Sequence, residues 1–567
     1  MLLTIDKNKS LSLLQIAVAL FIIIAPPFLG AVDVKMSVYI MFFVSAALTA
    51  LRVKTAERIH YTVYHLILSV LLVYTVISAL WVNNKEGQLV FIFALGGIIC
   101  LYTALMDYFS EGTTENMQRR IMYMICIGAV LCAVTNIMYW LVNIIPFASH
   151  EKLSFGLGTN NFLAIFMMLS FTAVINLMKG NSKARKRLLF LACIPIIFVF
   201  VFAKSIIAYV FGFFILLSFL ISKKFKKAFS VCAIISTVVF TAIIIFTANN
   251  NPVLNDVFRL ACHNLLGTGG GFWSGKASFA TTVYSASADV GLLPFLFASS
   301  GIIGIITALA VVARNVMSFL RLKTWESLIS LHVTILIMLL PYNMNFTVTL
   351  LWIGLIAYNE CALGMAVKLN LKKETVRKTA YVLSVMIVFS AMLFIQLCMR
   401  NGAQIRFNKK DYIGAAQLYK TASIINPADS ESCRMYAMSL RLNGNNFNSE
   451  SALLSIDKAI KRDPDNIENI VEKALIYYEA GDLDACAEQY RTASGYANVN
   501  DEYNLALVKV LSEIVQGAPA GSSETKRAYE EILEISNLTE NLDVRKEIND
   551  IADEVQSFTK GELVIEQ

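Results

Sequence analysis

Long apolar runs constrain this chain more than any other feature. Runs of roughly 17 to 25 residues, the length that crosses a bilayer as a helix, fall near 11–31, 37–52, 61–82, 88–106, 121–145, 157–178, 188–203, 205–221, 228–248, 290–313, 326–341, 345–366 and 378–398. They predict about thirteen spans. Hydrophobic residues make up 57% of the chain, and the mean hydropathy is +0.61. Charge gathers in short patches and in the last third, the distribution of a polytopic membrane protein. The run from Leu188 to Ser222 is too long for one helix. Lys204 near its middle predicts a tight hairpin, because a charge at mid-bilayer costs several kcal/mol and one at a hairpin tip does not.

Basic residues then set an orientation. Arg52, Lys54 and Arg58, Arg119 and Arg120, Lys183 to Arg187, Lys223 to Lys227, Arg314 to Lys323 and Lys368 to Lys378 occupy every second connection. By the positive-inside rule the N-terminus is cytoplasmic, and the 249–289 loop and the C-terminus are outside. The formal net charge of +7 is thereby accounted for by topology, which argues against a nucleic-acid partner. Lys7 and Lys9 precede the first apolar run, with no small-residue cleavage site after Leu29, so that run reads as a retained span. The ten cysteines are scattered, mostly within apolar segments, and read as small core residues. With five histidines and no metal-ligand spacing, neither a metal nor another cofactor is expected.

Beyond Met399 the composition becomes that of a soluble helical domain. Tyr412, Ala416, Tyr419, Ala422 and Pro427 set a pattern repeated by Leu453, Ile456, Ala459 and Pro464, then by Leu483, Ala487, Tyr490 and Ala493. The two prolines lie 37 residues apart, close to the tetratricopeptide period of ~34. Large and small residues at helical spacing let paired helices pack closely, and proline ends the second helix of a pair. The resemblance to tetratricopeptide repeats covers about 404–497, with further helix expected from 502 to 558. Such stacks present a concave surface, so this domain is expected to bind a partner, such as an envelope protein or the growing glycan.

The loop from Asn249 to Asp289 gathers Arg259, His263, Gly267, Gly269, Gly270, Gly271, Lys276 and Asp289 between two apolar runs. Loops of more than about 15 residues within a compact protein are usually functional or disordered, and Phe258, Leu260, Phe272 and Trp273 argue against disorder. Gly270 to Lys276 matches part of a phosphate-cradling nucleotide loop. Ala277 replaces the hydroxyl needed for magnesium and no strand precedes it, so that reading fails. Consecutive glycines still let backbone N–H groups turn toward an anion, with Arg259 and Lys276 adding charge.

Several segments, taken in order, resemble the O-antigen ligases and O-antigen polymerases. Gly158-Thr159-Asn160-Asn161-Phe162-Leu163-Ala164 is similar to the family's Asn-x-Leu-Ala, and Ala203-Lys204-Ser205-Ile206-Ile207-Ala208 to its Ser-Arg-Gly-Ala, with Lys204 in place of arginine. Phe258-Arg259-Leu260 followed by Leu266-Gly267-Thr268-Gly269-Gly270 is similar to its Arg-Leu and Leu-x-Gly-x-Gly. Gly301-Ile302-Ile303-Gly304 corresponds to the motif that closes the next span.

The resemblance implies a membrane glycosyltransferase moving an undecaprenyl-diphosphate-linked glycan to a glycan or lipid acceptor. Arg259, Lys204, Lys276, Gly269, Gly270 and Asn161 would bind the substrate or its diphosphate. The family's His-Asn after the loop is absent here, and Ser287-Ala288-Asp289 stands in that region; Ser299-Ser300 replaces the acid before Gly301. An aspartate followed by a span is instead similar to the shape, elongation, division and sporulation family of peptidoglycan polymerases. Asp289 is therefore the first choice of catalytic base and His263 the second. A transporter or a non-catalytic scaffold are the alternatives from other classes; few interior charges are visible in the sequence to support transport.

Overall fold

The computed structural model describes residues 34–56, 58–111, 114–144, 160–178, 182–213, 234–239, 265–269, 292–339, 346–443, 448–464, 466–496, 501–519, 522–539 and 541–558, with single residues or pairs at 23, 241–242 and 262. Nearly all of this is helix. The chain divides into two compact units, one drawn from Met1–Leu80, Leu89–Gly267 and Ser287–Phe394, the other from Trp81–Gln88, Thr268–Ala286 and Ile395–Gln567.

In the first unit the helices are α1 (Val34–Ala56), α2 (Val63–Ser78), α3 (Lys85–Glu111), α4 (Thr114–Ile144), α5 (Asn160–Met178), α6 (Lys183–Phe202), α7 (Leu292–Leu322), α8 (Trp325–Leu339), α9 (Phe346–Ala362) and the start of α10 (Lys373–Asn408). Of these, 35–54, 85–110, 292–322 and 373–408 are long and apolar enough to cross a membrane, and 63–78, 122–138, 163–178, 326–339 and 348–362 are shorter apolar helices. Many present large apolar side chains outward at helical spacing: Leu66, Val70, Val73 and Ile77 on α2, Leu188, Leu191, Ile194 and Ile197 on α6, Tyr381, Val385, Val388 and Met392 on α10. Within, α4, α5 and α6 share a core of Cys126, Ala129, Ala133, Phe166, Met167 and Ile196. The cysteines there are free and buried, as their apolar surroundings in the sequence predict.

One element departs from an all-helical fold. Arg58–Tyr61 forms β1 and pairs antiparallel with β2, Val367–Asn370, in the register Arg58↔Asn370 to Tyr61↔Val367. Four residues between two helices are too few for a further helix, and pairing satisfies their backbone groups instead. Thr62 then begins α2, its N–H donating to His65 Nδ1 at 3.2 Å.

In the second unit, helices follow one another in antiparallel pairs: the end of α10 with α11 (Tyr412–Ile425), α12 (Ser430–Arg441) with α13 (Ser449–Arg462), and α14 (Ile467–Glu479) with α15 (Leu483–Tyr496). Then come α16 (Asp501–Gly517), α17 (Ser523–Leu538) and α18 (Leu542–Phe558). Small residues set beside large ones permit the close packing: Ala452, Ala459 and Ala437 share a core with Ile456 and Cys433, and Ala403 and Ala415 share one with Tyr419. Side-chain caps start the helices, Asp411 accepting from Gly414 N, Asp429 from Ser432 N and Asn448 from Ser451 N. Pro427 and Pro464 follow the C-caps Asn426 and Asp463, as the repeat spacing predicts. The first pair begins earlier than its sequence signal at 404, because its leading helix is the last part of α10, a single 36-residue helix.

Candidate functional site

Of the residues singled out in the 249–289 loop, Arg259, His263, Gly270, Lys276 and Asp289 lie outside the described residues. Asn161 belongs to the first turn of α5. Lys204 sits where α6 stops, at φ 50°, a left-handed conformation that breaks the helix. A second helical stretch follows at 206–213, with Ser205 Oγ accepting from Ala208 N at 3.1 Å. Tyr209 turns back on α6, its hydroxyl donating to Val201 O at 2.6 Å. Lys204 itself is exposed, between the buried Ala203 and Ser205.

The middle of the loop is built on glycine. Leu265 O accepts from Ile302 N at 3.1 Å, and Leu266 O accepts from the Tyr74 hydroxyl. Gly267, at φ 79°, lies so close to α7 that a Cβ would fall 2.4 Å from Ser299 O; one on Gly301 would fall 2.0 Å from Leu265 O. Gly301, at φ 58° and ψ −141°, is the kink of α7, a conformation open only to glycine at little cost. A Cβ on Gly304 would likewise lie 2.0 Å from Leu296 O. The segments around Gly267 and Gly301, 34 positions apart in the sequence, thus interlock backbone to backbone. Gly301-Ile302-Ile303-Gly304 does not end its helix, as closing a span would require; it bends a helix that continues to Leu322. Freed backbone groups at the bend explain why: the Ile302 N–H is satisfied by Leu265. Ser299 and Ser300 are buried beside this contact, their hydroxyls 3.5 Å apart.

In the second unit, Gly269 stands at φ 91°, and a Cβ there would meet Val82 at 2.4 Å and Gln88 Oε1 at 2.9 Å. Gln88 and Glu86 are buried in the first turn of α3. Arg400 Nη1 is 3.8 Å from both Glu86 Oε1 and Asp429 Oδ1. Asp429 is fully buried and accepts from Gln396, from the Ser432 hydroxyl and, at 3.0 Å, from Ser432 N. Asn84 Nδ2 donates to Asp463 Oδ2 at 3.1 Å. These amides, carboxylates and one guanidinium form a polar cluster whose members are matched to one another. Sequence reasoning missed it, although the polar run Asn83 to Gln88 between two apolar stretches was a visible signal.

Two further charged clusters sit inside the first unit. Arg52 donates to Asp107, which His60 Nδ1 meets at 3.2 Å. Arg314 holds Glu360 in a two-pronged pair, Nε to Oε1 at 2.9 Å and Nη2 to Oε2 at 2.8 Å. Both are buried and internally matched, which suits them to holding helix ends together. Interior charges are therefore more numerous than the sequence suggested, but they are paired.

No protein-family model matches the chain, and no curated protein matches it. Among solved structures it is similar to one titled "Crystal Structure of the Yeast Tom70", at 9% identity and a TM-score of 0.21, over 84% of this chain and 96% of that one. A likeness at that level bears on neither fold nor activity.

Proposed function

We propose that this protein is a multi-pass glycosyltransferase of a bacterial plasma membrane, with about thirteen spans, a cytoplasmic N-terminus and the repeat domain outside. It moves an undecaprenyl-diphosphate-linked glycan to an acceptor hydroxyl during assembly of a surface polysaccharide. The observation that supports this best is the interlock of Gly267 with Gly301: two segments that resemble one transferase family, far apart in sequence, meet midway along the loop that carries the reactive residue types. Outward apolar stripes on α2, α6 and α10 support the membrane.

The chemistry follows from residue type. An acceptor hydroxyl attacks the anomeric carbon, the bond to the diphosphate oxygen breaks, and the hydroxyl proton passes to a base. Asp289 is that base, with His263 the second choice. Arg259 holds the departing diphosphate through its planar fork, and Lys204 or Lys276 adds a second cation. Gly269 and Gly270 turn backbone N–H groups toward phosphate oxygens, and Asn161 binds substrate from the first turn of α5. Asp289 just ahead of a span also fits a peptidoglycan-polymerase-like reaction on the same carrier. Depleting the protein from its host tests the proposal. Lipid-linked oligosaccharide accumulates and the wild-type chain relieves it, whereas Asp289→Asn does not; relief by Asp289→Asn would leave a scaffold role instead.

A further inference from the structure

A groove lies between α4 and α6, away from the 249–289 loop. The two helices run in the same direction: Tyr123 and Cys126 line the groove with Arg185 and Leu189 near the start of α6, and Trp140 packs its ring against Phe198 and Phe202 near its end. Between their faces is a groove of about 580 Å³, within the range of ligand-sized cavities. Its walls are apolar, among them Tyr123, Ile127, Leu131, Leu188 and Ala192, and its single charged lining residue is Arg185. Ile127, Leu131 and Leu188 are exposed, so the groove opens sideways, along the outward apolar face of the unit.

The basic end is pronounced. Lys183, Arg185, Lys186 and Arg187 are all exposed in the first turns of α6, and Arg119 is exposed near the start of α4. Among the described residues no carboxylate pairs with any of the four on α6. An apolar trough with cations at one end complements a molecule with a hydrocarbon chain and an anionic head. Basic pockets between spans on the cytoplasmic side recognise acidic lipid headgroups in this manner.

We propose that this groove binds one anionic phospholipid of the cytoplasmic leaflet, an acyl chain along Ile127, Leu131 and Leu188 and the phosphate at Arg185. The polyprenyl diphosphate donor is the less suitable occupant. The 20 residues of α6 from Lys183 to Phe202 span about 30 Å, so Arg185 lies about one hydrocarbon thickness from Lys204, where the donor's charge is expected. The inference rests on the membrane-spanning reading, and the exclusion of the donor rests also on the proposed transfer site.

Native mass spectrometry of the full chain, purified in mild detergent from vesicles of phosphatidylglycerol and phosphatidylethanolamine, tests it. One phosphatidylglycerol is expected to remain bound, at least tenfold over phosphatidylethanolamine. Arg185→Gln removes that preference, and Ala192→Trp or Ile127→Trp, which fill the groove without altering charge, remove the bound lipid. Equal retention of both lipids, wild-type retention in Arg185→Gln and in both tryptophan variants, or displacement by equimolar undecaprenyl diphosphate overturns the proposal. Alkaline carbonate extraction separates the two failures: release of the chain contradicts the membrane reading, and a retained chain with no lipid preference contradicts this inference alone.

Discussion

Gly267 and Gly301 exclude a side chain on each other: a Cβ on Gly267 would lie 2.7 Å from Gly301 N, and one on Gly301 would lie 2.8 Å from Gly267 N. Each also has a positive φ, 79° and 58°. Left-handed strain and backbone overlap therefore act together. Gly301→Ala is expected to destabilise the chain by at least about 3 kcal/mol, and Gly267→Ala by a similar amount. Gly354→Ala on α9, where a Cβ meets nothing within 4 Å, is expected to be neutral or slightly stabilising. Thermal unfolding in detergent separates the three; equal midpoints for Gly301→Ala and Gly354→Ala would remove the interlock from the account.

Arg314 and Glu360 form a buried pair with two hydrogen bonds. Removing one partner strands the other charge, and Glu360→Gln or Arg314→Gln is expected to cost about 3 to 5 kcal/mol. The double change Arg314→Met with Glu360→Met leaves no charge behind and is expected to recover most of that loss. A double variant as unstable as either single one would indicate that the pair serves more than packing.

Asp429 and Asn448 are both helix N-caps with different duties. Asn448 accepts from Ser451 N at an exposed turn, so Asn448→Ala is expected to cost about 1 kcal/mol. Asp429 also receives Gln396 and the Ser432 hydroxyl, and lies beside Arg400. Asp429→Ala should therefore cost about 3 kcal/mol or more. Denaturant unfolding monitored by circular dichroism checks the order, and the reverse order would contradict it.

Burial holds the phenols of Tyr419 and Tyr490 up at about 12, against an ordinary 10.0. A folded-state value raised above the unfolded one gives stability that is present below pH 10 and lost as pH rises through 12. Alkaline unfolding should accordingly steepen within that window. Tyr419→Phe loses the hydrogen bond from its hydroxyl to Gln404 Oε1 at 2.7 Å, yet should show a flatter loss of helix between those limits. A pH profile unchanged in Tyr419→Phe and Tyr490→Phe would place the alkaline sensitivity elsewhere.

The helices were legible because an apolar run or a large-small pattern is local. So were the break at Lys204 and the turns at Pro427 and Pro464, each fixed by a single residue's backbone chemistry. What the sequence concealed is non-local. The β pairing joins residues near 60 and 368, and Arg52 finds Asp107 and Arg314 finds Glu360 across many turns of chain. Asp107 and Glu360 each read as a lone acid near the end of an apolar run, so partners could not be assigned. Likewise the setting of Gly269 against Gln88 depends on a connection some 180 positions earlier. Gly301 reads as the end of a span from its resemblance to a family motif, whereas here the backbone of Leu265 satisfies the bend and lets the helix continue.

The proposed reaction is transfer of a glycan from its lipid diphosphate at the 249–289 loop. Its most direct test is product formation by the purified chain in liposomes loaded with undecaprenyl-diphosphate-linked oligosaccharide and acceptor. Wild type should release undecaprenyl diphosphate in step with glycosylated acceptor. Arg259→Ala and Asp289→Ala should each lose at least 100-fold, about 2.7 kcal/mol in the barrier, with helical content unchanged. Full activity in both variants would contradict the account.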